Sequence, residues 1–288
     1  TRYFLADILQ QRRNWKAPKQ KREPFTYPMF QALATLMDRL ARQDGTIFLS
    51  VDFAVLDWTR LGVHTGSRLA EYGQSKPDKR RPFATVPNSR EAGEWAGTPI
   101  AFIRADFTFY DAQMVCREFC ACLERPDLAQ FVHIRFRFDK SVNNFTIRKF
   151  QRVSGSLLCP VKAALSILKR ADRLSIPSDF PIGAFRPAGA APGQYAFLQG
   201  DHVCSVMQKA CRMAYPDPNH YMRKHIALLQ SHSNRITAAV ALYNAGETEE
   251  VIAFRLRWSV ETVRFYLREC FKVVGPLTEQ AIRGATLS

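Results

Sequence analysis

Hydrophobic positions recur at helical spacing along most of this chain and switch to a period of two in a few places. Phe30, Leu33, Leu36, Met37 and Leu40 predict a helix that follows Glu23-Pro24-Phe25-Thr26 and ends near Gln43-Asp44-Gly45. Residues 51–61 predict a second helix. Residues 101–109 alternate as a strand does, and residues 112–123 return to helix. The clearest alternation sets Val132, Ile134, Phe136 and Phe138 against His133, Arg135, Arg137 and Asp139. After a turn at 141–144, Phe145, Ile147 and Phe150 interleave with Thr146, Arg148 and Arg152, which predicts a hairpin. Pro160 then opens a helix running to about Arg173, residues 174–197 read as loop, and Val203, Val206, Met207 and Ala210 mark a helix from Gly200. The predicted class is α+β, mostly α, with a small antiparallel sheet.

The stretch from Ser231 to Glu269 has a different texture. A helical run carries Ala238, Ala239 and Leu242 toward a core and stops at Asn244-Ala245-Gly246. Thr248 is placed to cap a second run, with Val251, Ile252, Phe254 and Leu256 as its apolar positions. Ser259 is placed to cap a third, which presents Tyr266 among Arg264 and Arg268. His232 and Arg235 are three apart, so a helix points both from one face. Two cations and a phenol gathered by short helices suit a phosphate and a nucleophile.

Composition sharpens that picture. The formal charge is +15 over 288 residues, which favours a polyanionic partner over a merely solvated surface. The content of 47% hydrophobic residues, 21 Phe among them, can fill a sizeable core and excludes a disordered chain. No apolar run is long enough to span a bilayer. Seven Cys do not pair evenly. Cys116, Cys120 and Cys122 cluster without a second pair or a His at zinc spacing, which reads as buried free thiols in a reducing compartment. His220 and His225 read as surface or packing residues. Nothing spells a Walker loop, a carboxylate-pair metal site or a GxSxG elbow.

The C-terminal pattern resembles the tyrosine recombinase (phage integrase) family. His232-Ser233-Asn234-Arg235 matches its His-x-x-Arg box, Trp258 its His-or-Trp position, and Tyr266 its nucleophile. Trp258 follows Arg235 by 23 residues, as in the family; Tyr266 follows Trp258 by eight, about one short. Asn234 stands where the family most often has Leu. Upstream, Thr65-Gly66-Ser67-Arg68-Leu69-Ala70-Glu71 resembles the family's first box, with Arg68 at a helix start that favours phosphate. The resemblance covers about residues 23–270.

It implies a site-specific recombinase that cuts and rejoins DNA through a 3′-phosphotyrosine linkage, with no metal and no ATP or other cofactor. Arg68 and Arg235 would hold the nonbridging oxygens, His232 and Trp258 would donate to them, and Glu71 would orient Arg68. Lys140 at the hairpin tip would be the general acid, with Lys149 its rival. A type IB topoisomerase, a telomere-resolving enzyme and an inactive DNA-binding relative share the pattern, and a basic helical module carries it by chance. Residues 1–22 form a basic arm in which Arg12, Arg13, Lys16, Lys19, Lys21 and Arg22 face DNA, aided by Lys149 and Arg264. The arm resembles the linker to the family's clamping domain. Residues 72–98, with Lys76, Lys79, Arg80 and Arg81, read as a surface excursion. Residues 271–288 read as a tail that docks on a neighbouring protomer. The implied partners are double-stranded DNA and further copies of the chain, dimer to tetramer, with no membrane. The implied location is wherever that DNA is, prokaryotic cytoplasm or eukaryotic nucleus.

Overall fold

The computed structural model describes residues 22–74, 83–86, 93, 96–137 and 146–268. It is α+β and mostly helical, with a small antiparallel sheet. Helix α1 (Tyr27–Gln43) starts with a Pro in its first turn and buries Met29, Phe30, Leu33, Ala34 and Met37; Leu36 and Leu40 line the same core at its edge. Helix α2 (Val51–Thr65) is capped by Ser50, whose Oγ accepts the Phe53 N–H at 3.4 Å. It runs one turn beyond the predicted segment and stops at Gly66 in the left-handed region, φ 57°. Helix α3 (Leu69–Tyr72) follows at once.

Trp58 of α2 stacks against Tyr72 at 5.2 Å and against Phe102 at 5.9 Å. Such aromatic pairs add about 0.5–1.5 kcal/mol each beyond burial, and this one fixes the end of α3. Gly183 completes the clamp. A β-carbon there would stand 1.5 Å from the Tyr72 carbonyl oxygen, so the 174–197 loop lies on α3 only because it has glycine at that point.

The sheet has the order β2-β1-β3-β4, from β1 (Phe107–Tyr110), β2 (Cys116–Arg117), β3 (Phe131–Arg135) and β4 (Ile147–Gln151). The predicted hairpin is present, with Val132 opposite Phe150 and Ile134 opposite Arg148. Its second strand differs from expectation. Ile147 and Phe150 are three apart and fall on opposite faces, so Phe150 is buried and Ile147 is exposed. The strand expected over 101–109 shrinks to four residues. Asp106 accepts the Ile103 N–H at 2.8 Å and closes a 3-10 turn at Arg104–Asp106, while Ala101, Phe102 and Ile103 are buried in succession. The helix expected over 112–123 is also corrected. Asp111 Oδ1 accepts from the N–H groups of Gln113 and Val115, a local turn that competes with helix. Only α4 (Phe119–Glu124) remains helical there, after β2.

Helix α5 (Pro160–Arg173) packs on α2. Between them Arg170 pairs with Asp57, both fully buried, and its Nε donates to the Phe48 carbonyl at 3.1 Å. Asp106 and Arg137 form a second buried pair at 2.8 Å. The loop after α5 is tied by a two-residue pairing of β5 (Ala184–Phe185) with β6 (Ala196–Phe197), and α6 (Gly200–Ala214) packs on α1. Within the 72–98 segment, expected on the surface, the described residues Phe83 and Val86 are buried, and Phe83 meets Phe197 edge to face.

After α7 (Tyr221–Lys224), three helices form a layer with its own core: α8 (Ser233–Asn244), α9 (Glu249–Leu256) and α10 (Val260–Arg268). The caps lie where the sequence puts them. Gly246 has φ 88°, Thr248 Oγ accepts from Val251, and Ser259 Oγ accepts from Thr262. The second core gathers Ile236, Ala238, Ala239, Ile252, Leu256, Trp258 and Val263. Val251 and Phe254 do not join it; they are 44% and 69% exposed, so the apolar face of α9 is narrower than expected. Cys116 and Cys120 are exposed rather than buried, and Cys122 is buried. No helix among the described residues is long and apolar enough to cross a membrane.

Candidate functional site

Helix α8 is anchored before it presents anything. Thr237 Oγ1 accepts the Phe25 N–H at 2.7 Å and donates to the Ser233 carbonyl at 2.8 Å, which ties the start of the body to the first turn of α8. In that turn Arg235 is 3% exposed. Its Nη1 donates to the Gly66 carbonyl at 2.7 Å, and its Nε donates to Tyr266 Oη at 3.2 Å. Its guanidinium lies 4.0 Å from the ring centroid of Trp258, which in turn is 5.1 Å from that of Tyr266. The turn after α9 delivers Trp258, and the Ser259 cap starts α10 so that Tyr266 comes back over Arg235. Three residues named from the sequence thus meet in one place.

Arg68 and His232 border them. His232 caps α8, and its pKa is lowered to about 4, first by burial of the ring and then by the fields of Arg22, Arg235 and Arg68. The residue as a whole is exposed, and its imidazole faces three guanidiniums that disfavour a further positive charge. His232 is therefore uncharged at neutral pH. Burial also lowers the pKa of Arg235, opposed first by Tyr266; the group stays a guanidinium at any ordinary pH. Trp258 is 9% exposed, and its indole N–H is buried with no acceptor among the described residues. An indole nitrogen can only donate, so this is a donor held ready in a cluster of cations.

Arg68 stands at the start of α3 as expected, but α3 has four residues and its dipole adds little for a phosphate. Glu71 also acts differently from expectation. Its Oε2 accepts the backbone N–H of Arg68 at 2.6 Å, so it orients the Arg68 main chain, and its Oε1 is occupied by Arg257.

Other expected residues are not gathered here. Lys140, Arg12, Arg13, Lys16, Lys19 and Lys21 lie outside the described residues, as do the hairpin turn and the 271–288 tail. Lys149 is exposed and pairs with His133 across the sheet, on the face opposite to Arg148. Arg148 faces the second layer, where it donates to the Phe254 carbonyl at 3.1 Å. Arg264 is paired with Glu249 at 2.5 Å on the surface. His220 stacks on Tyr215 and His225 packs near Tyr221, as packing residues do.

Three contributions were not foreseen from the sequence. Gly66 offers its carbonyl to Arg235 and its missing side chain to Trp258, since a β-carbon there would lie 2.8 Å from the indole. The Gly-x-Arg spacing signalled the first Gly but not its contact with Trp258. Asn234 is 1% exposed and packs on Gly62 of α2, with its Oδ1 buried and without a partner among the described residues. Arg257 is buried beside Glu71, and a lone Arg at a helix end gave no signal of that. Among the described residues no group of His, Cys, Asp and Glu could hold a metal ion. No family model matches this chain, and no curated protein matches it either.

Proposed function

We propose that this chain cuts and rejoins DNA strands through a covalent link between Tyr266 and a 3′-phosphate, as the resemblance to tyrosine recombinases implies. One observation carries the reading. Tyr266 Oη is held at 3.2 Å by a buried guanidinium that also stacks on Trp258, with Arg68, Arg22 and an uncharged His232 alongside. A scaffold has little use for an oxygen nucleophile, an unpaired indole donor and three cations in one cluster. A phosphodiester uses all of them.

In the reaction, Tyr266 Oη attacks phosphorus and the bond to the 5′ oxygen breaks. Negative charge grows on the nonbridging oxygens, where preorganised donors count most. Arg68 and Arg235 offset that charge, and the Trp258 N–H donates to it. The phenol gives up its proton to solvent as Oη attacks, and Arg235 Nε keeps its hydrogen bond to that oxygen. The departing 5′ oxygen takes a proton from a general acid, the role assigned to Lys140. The new phosphotyrosine bond conserves the energy of the one broken, so a 5′-hydroxyl of another strand can reverse the step. The net charge of +15 suits the polyanionic substrate.

A nicked suicide duplex tests this. Its short cleaved fragment diffuses away and traps the intermediate. The expected result is a protein–DNA adduct that survives denaturant and forms in chelator without ATP. Tight duplex binding with no adduct would instead support a DNA-binding relative that does not cut. Relaxation of supercoiled plasmid without recombination would favour a topoisomerase.

A further inference from the structure

Arg257 is a buried charge that the proposed chemistry leaves unused. It sits at φ 60°, ψ 41°, a left-handed conformation that a β-carbon disfavours and glycine adopts freely. Its guanidinium is 1% exposed and lies 3.5 Å from the ring centroid of Phe136. Nη2 donates to Glu71 Oε1 at 3.1 Å, and Glu71 Oε2 accepts the Arg68 N–H at 2.6 Å. One buried carboxylate therefore joins Arg257 to the main chain of Arg68. The two ends belong to different cores: Phe136 and Tyr72 to the main body, Leu256 and Trp258 to the C-terminal layer.

We propose that Arg257 is a positioning residue that acts through Glu71, holding the Arg68 turn in register with Trp258 and Tyr266. This rests on the strand-transfer reading. The physical case is that the chain accepts backbone strain at 257 which a glycine would relieve. Strained residues persist where the surroundings over-determine them, and they cluster at functional sites. Here the helix stop itself sets the left-handed turn, with the Arg257 N–H on the Ala253 and Phe254 carbonyls. The ion pair with Glu71 is a contact that glycine at this position would lack. Without it, Glu71 would be a buried carboxylate lacking its cation, an arrangement that proteins avoid. The carboxylate would turn to water and release the Arg68 N–H. Arg68 would then lose one of the contacts that hold its turn against Arg235, leaving the Arg235 bond to the Gly66 carbonyl two residues earlier.

Arg257→Gly is the informative change because the backbone keeps a conformation that glycine favours. Two measurements apply to it: exchange of the Arg68 amide hydrogen in the free protein, and the rate of adduct formation beside the duplex Kd. We expect Arg68 exchange at least about ten-fold faster and an adduct rate about 10–100-fold lower, the usual cost of losing a residue that orients a functional group. Duplex Kd should stay within about two-fold, since phosphate contacts along the whole surface set it. Arg257→Lys should restore part of both. Glu71→Gln combined with Arg257→Gly should be no slower than the slower single variant, because the two act in one chain of contacts. Unchanged Arg68 exchange in Arg257→Gly, or multiplicative losses in the double variant, would overturn the proposal. If the wild type forms no adduct, faster exchange still upholds the Arg257–Glu71–Arg68 tie, and the strand-transfer reading is what fails.

Discussion

The phenol oxygen of Tyr266 accepts a hydrogen bond from Nε of Arg235, 31 positions earlier, at 3.2 Å. The same guanidinium holds the Gly66 carbonyl and stacks on Trp258, so one side chain fixes three parts of the site. Lysine cannot reproduce this, being a point charge without a planar fork. Arg235→Lys should lower adduct formation by at least about 10²-fold, the cost of losing a preorganised donor. It should also cost about 1–3 kcal/mol of stability, because the buried Gly66 carbonyl loses its partner. Thermal unfolding and adduct kinetics on one preparation check both numbers. Wild-type rates in the Lys variant would remove Arg235 from the site.

His232 makes a claim about pH. Its pKa of about 4 lies below the ordinary value of 6.5 because burial and the cations Arg22, Arg235 and Arg68 disfavour the imidazolium. Between those two pH values the unfolded chain binds a proton that the folded chain does not. Stability therefore falls as pH drops through that window and is fully present above it. Arg68→Ala removes one of the cations, so the His232 midpoint should rise, as read by NMR titration of the ring. A midpoint that stays put would place Arg68 away from His232.

Gly66 carries a steric prediction. A β-carbon there would meet the Trp258 indole at 2.8 Å, and the residue has φ 57°. Gly66→Ala should destabilise by about 1–3 kcal/mol through overpacking and left-handed strain. It should also slow adduct formation by pushing Trp258 off Arg235. Calorimetry and the adduct assay decide. Full stability in the Ala variant would contradict the close approach.

Much of this arrangement was legible in the residues. Helix starts at Thr248 and Ser259 and the stop at Gly246 are local signals: a hydroxyl that accepts a nearby N–H, and a glycine free to turn. The meeting of Arg235, Trp258 and Tyr266 follows from those three caps. What escaped was set by side-chain choices that periodicity does not show. The Asp111 side chain replaced an expected helix with a local turn, and Phe254 meets Arg148 of the hairpin instead of the second core, a contact that leaves it 69% exposed. The Glu71–Arg257 pair spans 186 positions, and no periodicity announces it.

Lys140 is the expected proton donor to the departing 5′ oxygen. Lys140→Ala should slow cleavage by about 10²–10⁴, the usual worth of general acid catalysis. A substrate with sulfur at the 5′-bridging position, which needs no proton to leave, should recover most of that loss. Lys149 points from the sheet face opposite to Arg148, so Lys149→Ala should leave the rate nearly unchanged. Rescue of the Lys149 variant by the sulfur substrate, and not of the Lys140 variant, would exchange their roles.

The most direct test of the central claim is to map the covalent bond itself. Wild-type protein trapped on a suicide duplex, digested with nuclease and protease, should yield by mass spectrometry one peptide carrying a 3′-phosphonucleotide on Tyr266. Tyr266→Phe should bind the duplex about as tightly and yield no such peptide, because only the nucleophilic oxygen is gone. A modified peptide at Tyr243 or Tyr221, or an adduct that persists in the Phe variant, would contradict it.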